Sequence, residues 1–156
     1  GKVRFDRNPI VLILADALGY TVDKIKPDRI IDVATLTGAC IVALGECYAG
    51  LLGTDDATCD ALISAGIATG EHVWRLPLYE ELTEEVKGDI SDLKNLGGKW
   101  GGTITAAGFL SHFVGDIPWA HIDIAGLAWY TKTRHYVPKY ATGQGVRLLV
   151  EYFTNQ

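Results

Sequence analysis

The chain has 156 residues, of which 48% are hydrophobic and 21% are charged, a composition that excludes a disordered or fibrous protein and predicts one domain of ordinary size. No apolar run reaches the roughly 18 residues that are needed to span a bilayer. The net charge of −5, without a cluster of Lys or Arg, argues against nucleic acids and anionic membrane surfaces as partners and favours small molecules or other protein chains.

Helices and strands are predicted to alternate along the first half of the chain. Asn8 and Pro9 are favourable at the start of a helix, and apolar residues then recur at helical spacing as far as Ile25. The apolar stretch from Arg29 to Leu36 predicts a strand buried on both faces. A short apolar helix or a buried crossover segment over 39–44, a strand over 48–52 and a helix from Thr54 to Gly70 are predicted next.

The second half continues the alternation. An extended segment over 73–78 precedes an acidic helix, whose four glutamates are interpreted more simply as a solvated face than as a metal site. Thr103 is predicted to cap a helix, and Trp119 to Ile124 to form a strand. The last helix is predicted to bury Val146, Leu149, Val150 and Phe153. The pattern therefore predicts an α/β fold with a mainly parallel (mixed) sheet flanked by helices.

Polar residues collect where the first strand ends. Thr35-Leu36-Thr37-Gly38 interrupts the apolar run, and open α/β sheets bind ligands at the carboxyl ends of their strands. The alternative is a capped turn without a ligand. His121 and Asp123 share one face of a later strand, and they are interpreted either as an acid/base or metal pair or as buried polar groups satisfied by the backbone.

The three cysteines show neither a C-x-x-C pair nor metal-ligand spacing, so we expect them to be reduced and structural. The amino-terminal residues do not resemble a signal peptide. A cytoplasmic location is therefore expected.

Several segments together resemble the carboxyl-terminal catalytic domain of the leucine aminopeptidase family, the two-metal exopeptidases. They occur in the order of the family and cover nearly everything from Leu12 onwards. The matching segments are L-I-L-A-D-A-L at 12–18, D-V-A-T-L-T-G-A-C-I-V-A-L-G at 32–45, W-R-L-P-L at 74–78, N-L-G-G-K-W-G-G-T-I-T-A-A-G-F-L at 95–110, W-A-H-I-D-I-A-G at 119–126 and A-T-G-Q-G-V-R-L-L at 141–149.

The resemblance implies removal of amino-terminal residues from peptides by a water that bridges two divalent metal ions, Mn or Zn. It also implies that Thr35, Leu36 and Gly38 line the substrate cleft beside the metals, and that Ala125 belongs to the pocket for the first side chain of the substrate. The family forms hexamers, so a homo-oligomer is expected.

The main metal-binding motif of the family, N-T-D-A-E-G-R directly before L-I-L-A-D-A-L, does not occur here. In direct register Arg7 replaces the aspartate, Pro9 the glutamate and Val11 the arginine, and none of these can perform the replaced role. In a second register, Lys2 and Asp6 resemble the Lys and Asp of the earlier metal-binding segment G-K-G-x-x-F-D, although their spacing is one residue shorter. The resemblance thus implies a partial catalytic domain over 1–156 that is inactive as this chain.

Two alternatives remain at this stage. One is a non-catalytic remnant that binds a peptide or forms oligomers through the inherited surface. The other is an unrelated α/β binder of small molecules.

Overall fold

The computed structural model describes residues 9–79, 81 and 100–155. Their alternation of helices and strands agrees with the predicted α/β pattern. In chain order the elements are α1 (Pro9–Tyr20) with a π-helical turn (Thr21–Ile25), β1 (Ile30–Ala34), α2 (Gly38–Leu44), β2 (Ala49–Gly53), α3 (Asp56–Thr69), β3 (Val73–Arg75), α4 (Gly102–Ser111), β4 (Trp119–Asp123), β5 (Trp129–Tyr130), β6 (Tyr140–Ala141) and α5 (Val146–Thr154).

Four strands form one sheet in the order β1-β4-β2-β3. The pairs β1/β4 and β2/β3 are parallel, whereas β2 runs antiparallel to β4. The prediction of a mainly parallel, mixed sheet is therefore confirmed. Every residue of the two central strands is buried, because helices cover both faces of the sheet.

Two apolar cores lie on opposite faces of this sheet. Alternate residues of β4 contribute to both, since successive side chains of a strand point in opposite directions. The first core joins α1 and α4 to the sheet through Val11, Leu18, Phe109, Leu110 and Trp119. The second joins α3 and α5 to it through Leu51, Leu62, Ile122, Leu148 and Tyr152.

The ends of the predicted elements follow local capping chemistry. The Asp55 side chain accepts a hydrogen bond from the Thr58 amide at 2.8 Å and caps α3, and Gly70 ends that helix with a φ of 71°. Cys40 and Cys59 are buried free thiols, whereas Cys47 is exposed, and burial raises the pKa of the Cys40 thiol to about 11. No helix among residues 9–79, 81 and 100–155 is long and apolar enough to cross a membrane.

Two predictions on the second half of the chain, the acidic helix and the cap of α4, are not confirmed. The acidic helix predicted after Leu78 lies almost entirely outside the described residues. The prediction that Thr103 caps α4 is wrong, because Gly101 occupies the cap position and the Thr103 hydroxyl instead contacts the Thr37 hydroxyl at 3.0 Å.

The predicted buried side of α5 is wrong for three of its four residues, whereas Leu149 is partly buried against the second core as predicted. Val146, Val150 and Phe153 are 59–65% exposed, whereas Leu148 and Tyr152 are buried against α3 and the sheet. The physical reason is a polar anchor that sets the rotation of the helix. The buried carboxylate of Glu71 accepts hydrogen bonds from the amides of Gly145 at 3.1 Å and Leu148 at 2.9 Å.

The Glu71 anchor generates a prediction on stability. Glu71 is 3% exposed and also receives a hydrogen bond from Arg147 Nε at 3.2 Å. A Glu71→Gln substitution removes the charge and turns an amide group towards donors that need an acceptor, so we expect it to lower the free energy of unfolding by about 1–3 kcal/mol. Urea unfolding followed by circular dichroism measures the change.

The matched control for this prediction is Glu81→Gln at an exposed position, where we expect a change within about 0.5 kcal/mol. An equal stability of the two variants would contradict the role of Glu71 as the anchor of α5.

Candidate active site

The carboxyl ends of β1 and β4 lie side by side. Ala34 pairs with Asp123 in the parallel register, and the Ile124 amide donates to the Ala34 carbonyl at 2.9 Å. The loop 35–38 after β1 and the loop 124–126 after β4 therefore leave the sheet next to each other. Open α/β sheets bind their ligands at the carboxyl ends of parallel strands, which is where these two loops lie.

The carboxylate of Asp123 joins these two loops. It is fully buried, and its Oδ1 accepts hydrogen bonds from the amides of Leu36 and Ala125, both at 3.1 Å. Its Oδ2 accepts from the Thr37 amide at 3.1 Å and from the Thr37 hydroxyl at 2.7 Å. Four donors thus satisfy the buried carboxylate, as a buried charge requires.

Thr37 extends this network to two helices. Its Oγ1 accepts a hydrogen bond from the Cys40 amide at 3.1 Å and thereby caps α2. The single hydroxyl proton of Thr37 goes to Asp123, which can only accept, so Thr103 must be the donor in the contact between the two threonines. The start of α4 is therefore linked to the Asp123 carboxylate through the hydroxyl group of Thr37.

A second buried polar pair lies two residues earlier on β1 and β4. Asp32 and His121 are register partners, and Asp32 Oδ1 lies 2.5 Å from His121 Nδ1. Asp32 Oδ2 accepts from the indole nitrogen of Trp119 at 2.6 Å. His121 Nε2 is buried and has no hydrogen-bond partner among the described residues.

These contacts answer the two interpretations of His121 and Asp123. Satisfaction by the backbone is confirmed for Asp123, with the Thr37 hydroxyl as an additional donor. It is wrong for His121, whose partner is the side chain of Asp32. Sequence reasoning missed Asp32, although a carboxylate in the middle of the apolar strand I-I-D-V-A is itself a signal, because an unpaired buried charge would be too costly.

The structure places the predicted cleft residues as follows. Leu36 is buried, Ala125 is half-buried, and the Asp123 carboxylate holds their two amides together. Thr35 and Gly38 are exposed on the same loop, on either side of the anchored residues. The predicted metal ligands Lys2 and Asp6 lie outside the described residues.

The described donors do not fit a two-metal centre. No group of three or more His, Cys, Asp or Glu side chains suited to a metal ion occurs within 9–79, 81 and 100–155. Both oxygens of Asp32 and both of Asp123 already accept hydrogen bonds from protein donors. The Val11 side chain is 0% exposed and packs in the first core, where it offers no ligand atom.

A pocket of about 470 Å³ lies between α2 and the start of α4. It adjoins the threonine pair, because Thr103 belongs to its wall, but none of the four predicted cleft residues lines it. The other lining residues are Ala39, Val42, Ala43, Leu76, Trp100, Gly101, Gly102 and Ile104.

The loop after β4 also depends on a close backbone contact. A Cβ added at Gly126 would lie 2.2 Å from the carbonyl oxygen of Gly45, which is closer than real Cβ contacts. We expect Gly126→Ala to displace the 124–126 loop and to lower the free energy of unfolding by about 1–3 kcal/mol. Urea unfolding measures the loss of stability, and amide shifts of Ala125 and Leu127 report the displacement.

The control for this substitution is Gly38→Ala, because a Cβ at Gly38 meets no atom within 4 Å. Its stability should stay within about 0.5 kcal/mol of the parent chain. If Gly126→Ala is equally harmless, the backbone approach does not constrain the loop.

Comparisons with known proteins bear on this arrangement. Over 141 residues the chain is 58% identical to a probable cytosol aminopeptidase of Geobacter sulfurreducens, and over 142 residues it is 56% identical to one of Protochlamydia amoebophila. Each alignment covers 90% of this chain and 28% of the relative. The chain thus spans little more than a quarter of the length of the relatives that it matches.

The fold gives the same answer. A mutant of tomato leucine aminopeptidase superimposes with a TM-score of 0.86 and 41% sequence identity over 94% of this chain and 28% of that one. A family model described as the cytosol aminopeptidase family, catalytic domain, matches residues 11–150. The chain therefore belongs to the cytosol aminopeptidase family, and residues 11–150 correspond to part of its catalytic domain.

Proposed function

We propose that this chain forms the substrate-cleft portion of an aminopeptidase catalytic domain. Thr35, Leu36 and Gly38 would contact the peptide, and Ala125 would belong to the pocket for its first side chain. The observation that carries this proposal is the shared Asp123 carboxylate, which holds the amides of Leu36 and Ala125 at 3.1 Å and so places both loops at one end of the sheet. Thr35 and Gly38, which are exposed beside the anchored residues, would offer their backbone groups to the peptide.

The same proposal makes the isolated chain inactive as a hydrolase. In a two-metal aminopeptidase the ions polarise the scissile carbonyl and activate the attacking water when they are bound. The positions that resemble the family motif hold Arg7, Pro9 and Val11, and Val11 is fully enclosed in the apolar core. The neighbouring carboxylates of Asp32 and Asp123 are committed to hydrogen bonds within the protein.

The family also supports expectations on the setting of the whole protein. We infer a single partial catalytic domain over 1–156, a cytoplasmic location and a homo-oligomeric assembly, by analogy with relatives that are named cytosol aminopeptidases. Peptides are the proposed ligands. Mn or Zn would be held, if at all, by Lys2 and Asp6 together with ligands from outside the described site.

A second candidate function is that of a non-catalytic domain that binds a peptide or forms oligomers. The edge strands of the four-stranded sheet favour this function, because among the described strands β1 pairs only with β4 and β3 only with β2. A strand edge that lacks a second neighbour is a natural surface for pairing with another chain.

Hydrolysis of leucine p-nitroanilide tests the proposed inactivity. The pure chain is incubated with an excess of Mn²⁺ or Zn²⁺, and the release of nitroaniline is followed by absorbance. We expect no turnover above the metal blank, because the oxygens of Asp32 and Asp123 already accept hydrogen bonds and Val11 offers no ligand atom. Metal-dependent hydrolysis that disappears in the Asp6→Ala variant would overturn this proposal and would place Asp6 at a metal centre.

Size-exclusion chromatography with light scattering tests the assembly. We expect the chain to elute as an oligomer, because the edge strands β1 and β3 favour pairing with strands of another chain. A stable monomer at concentrations up to about 100 μM would contradict the oligomer-forming alternative, for which affinities in the micromolar range or better are needed.

A further inference from the structure

We infer that Asp123 is a positioning residue for the substrate cleft: its carboxylate sets the distance between the loop 35–38 and the loop 124–126. This inference rests on the proposed function, since the two loops are the proposed walls of the cleft. It assigns to Asp123 no contact with the peptide and no ligation of a metal ion.

The geometry of the Asp123 carboxylate connects the two loops directly. One oxygen, Oδ1, accepts from Leu36 N and Ala125 N, each at 3.1 Å, so a single atom bridges the two loops. The strand ladder reaches only to the bond between Ile124 N and Ala34 O at 2.9 Å. Beyond that bond the side chain of Asp123 takes over the pairing that the strands no longer provide.

The other oxygen orients the loop 35–38. Oδ2 accepts from both the amide and the hydroxyl of Thr37, which fixes the backbone of this residue and its side-chain rotamer. The oriented hydroxyl then caps α2 through the Cys40 amide. The exposed Gly38 at the start of α2 thus receives its position from the same carboxylate.

The Asp123 carboxylate is completely buried. Asp123 is 0% exposed, and four protein donors occupy its oxygens. Burying a carboxylate is costly unless it is fully hydrogen-bonded. An apolar or amide side chain would avoid that cost, but neither offers four acceptor positions.

The test is Asp123→Asn, which keeps the shape and removes half of the acceptor capacity. Whichever way the carboxamide is turned, its NH₂ group faces two donors of the wild-type network. We expect the amides of Leu36, Thr37 and Ala125 to exchange with deuterium about tenfold faster or more, because local opening no longer breaks charge-assisted hydrogen bonds. The amides of Ile124 and Ile30, which donate to backbone carbonyls, should be little changed.

Asp116→Asn is the matched control, since it makes the same substitution at an exposed position just before β4. It should leave all these exchange rates unchanged. Unchanged exchange at Leu36, Thr37 and Ala125 in a folded Asp123→Asn protein would overturn the inference. If Asp123→Asn does not fold, Thr37→Val is measured instead, with Thr37→Ser as the conservative variant that should restore the wild-type rates at Thr37 and Cys40; equal rates in Thr37→Val and Thr37→Ser would overturn it.

Titration with the dipeptide Leu-Gly separates this inference from the proposed function. In the wild-type chain we expect amide shift changes at 35–38 and 125, and in Asp123→Asn a binding curve moved to higher dipeptide concentration. Equal affinity of both proteins would refute the positioning role while leaving the cleft intact. Absence of shift changes in the wild type would refute the cleft, and the exchange rates would still decide the role of Asp123.

Discussion

A single buried carboxylate organises the loops that follow the carboxyl ends of β1 and β4. Asp123 accepts four hydrogen bonds, and its donors come from both sides of the proposed cleft. Because a buried charge without partners is strongly unfavourable, the loops and the carboxylate stabilise one another. The arrangement exists only when β1 and β4 are paired in the observed register, so the site and the sheet form a single structural unit.

The neighbouring pair of Asp32 and His121 shows the same principle without a loop. It lies within the sheet, where the Asp32 carboxylate also accepts a hydrogen bond from the indole nitrogen of Trp119. The Asp32 carboxylate thus binds side chains within the sheet, whereas the Asp123 carboxylate holds the loops that follow the strands. All four carboxylate oxygens of Asp32 and Asp123 accept hydrogen bonds from protein donors.

Much of this arrangement could be predicted from the sequence. The apolar run of β1, the capping residues of α3 and the polar break after Ala34 are local patterns, and their positions were predicted to within one or two residues. The contacts of Asp32, Thr37 and Thr103 are not local, since each depends on a partner more than 60 residues away. The exposure of Val150 and Phe153 was missed for the same reason, because the distant Glu71 sets the rotation of α5.

The pairing of β1 with β4 has a consequence for the order of folding. The bond between Thr37 and Asp123 joins residues 86 positions apart in the chain, with α2, β2, α3, β3 and α4 between them. Contacts of such long sequence separation carry an entropic cost of loop closure that precedes the stabilisation they provide, and they slow folding. The hydrogen bonds of Asp123 accordingly cannot form on a nascent chain from which β4 has not yet emerged, because a central strand of the sheet is then missing.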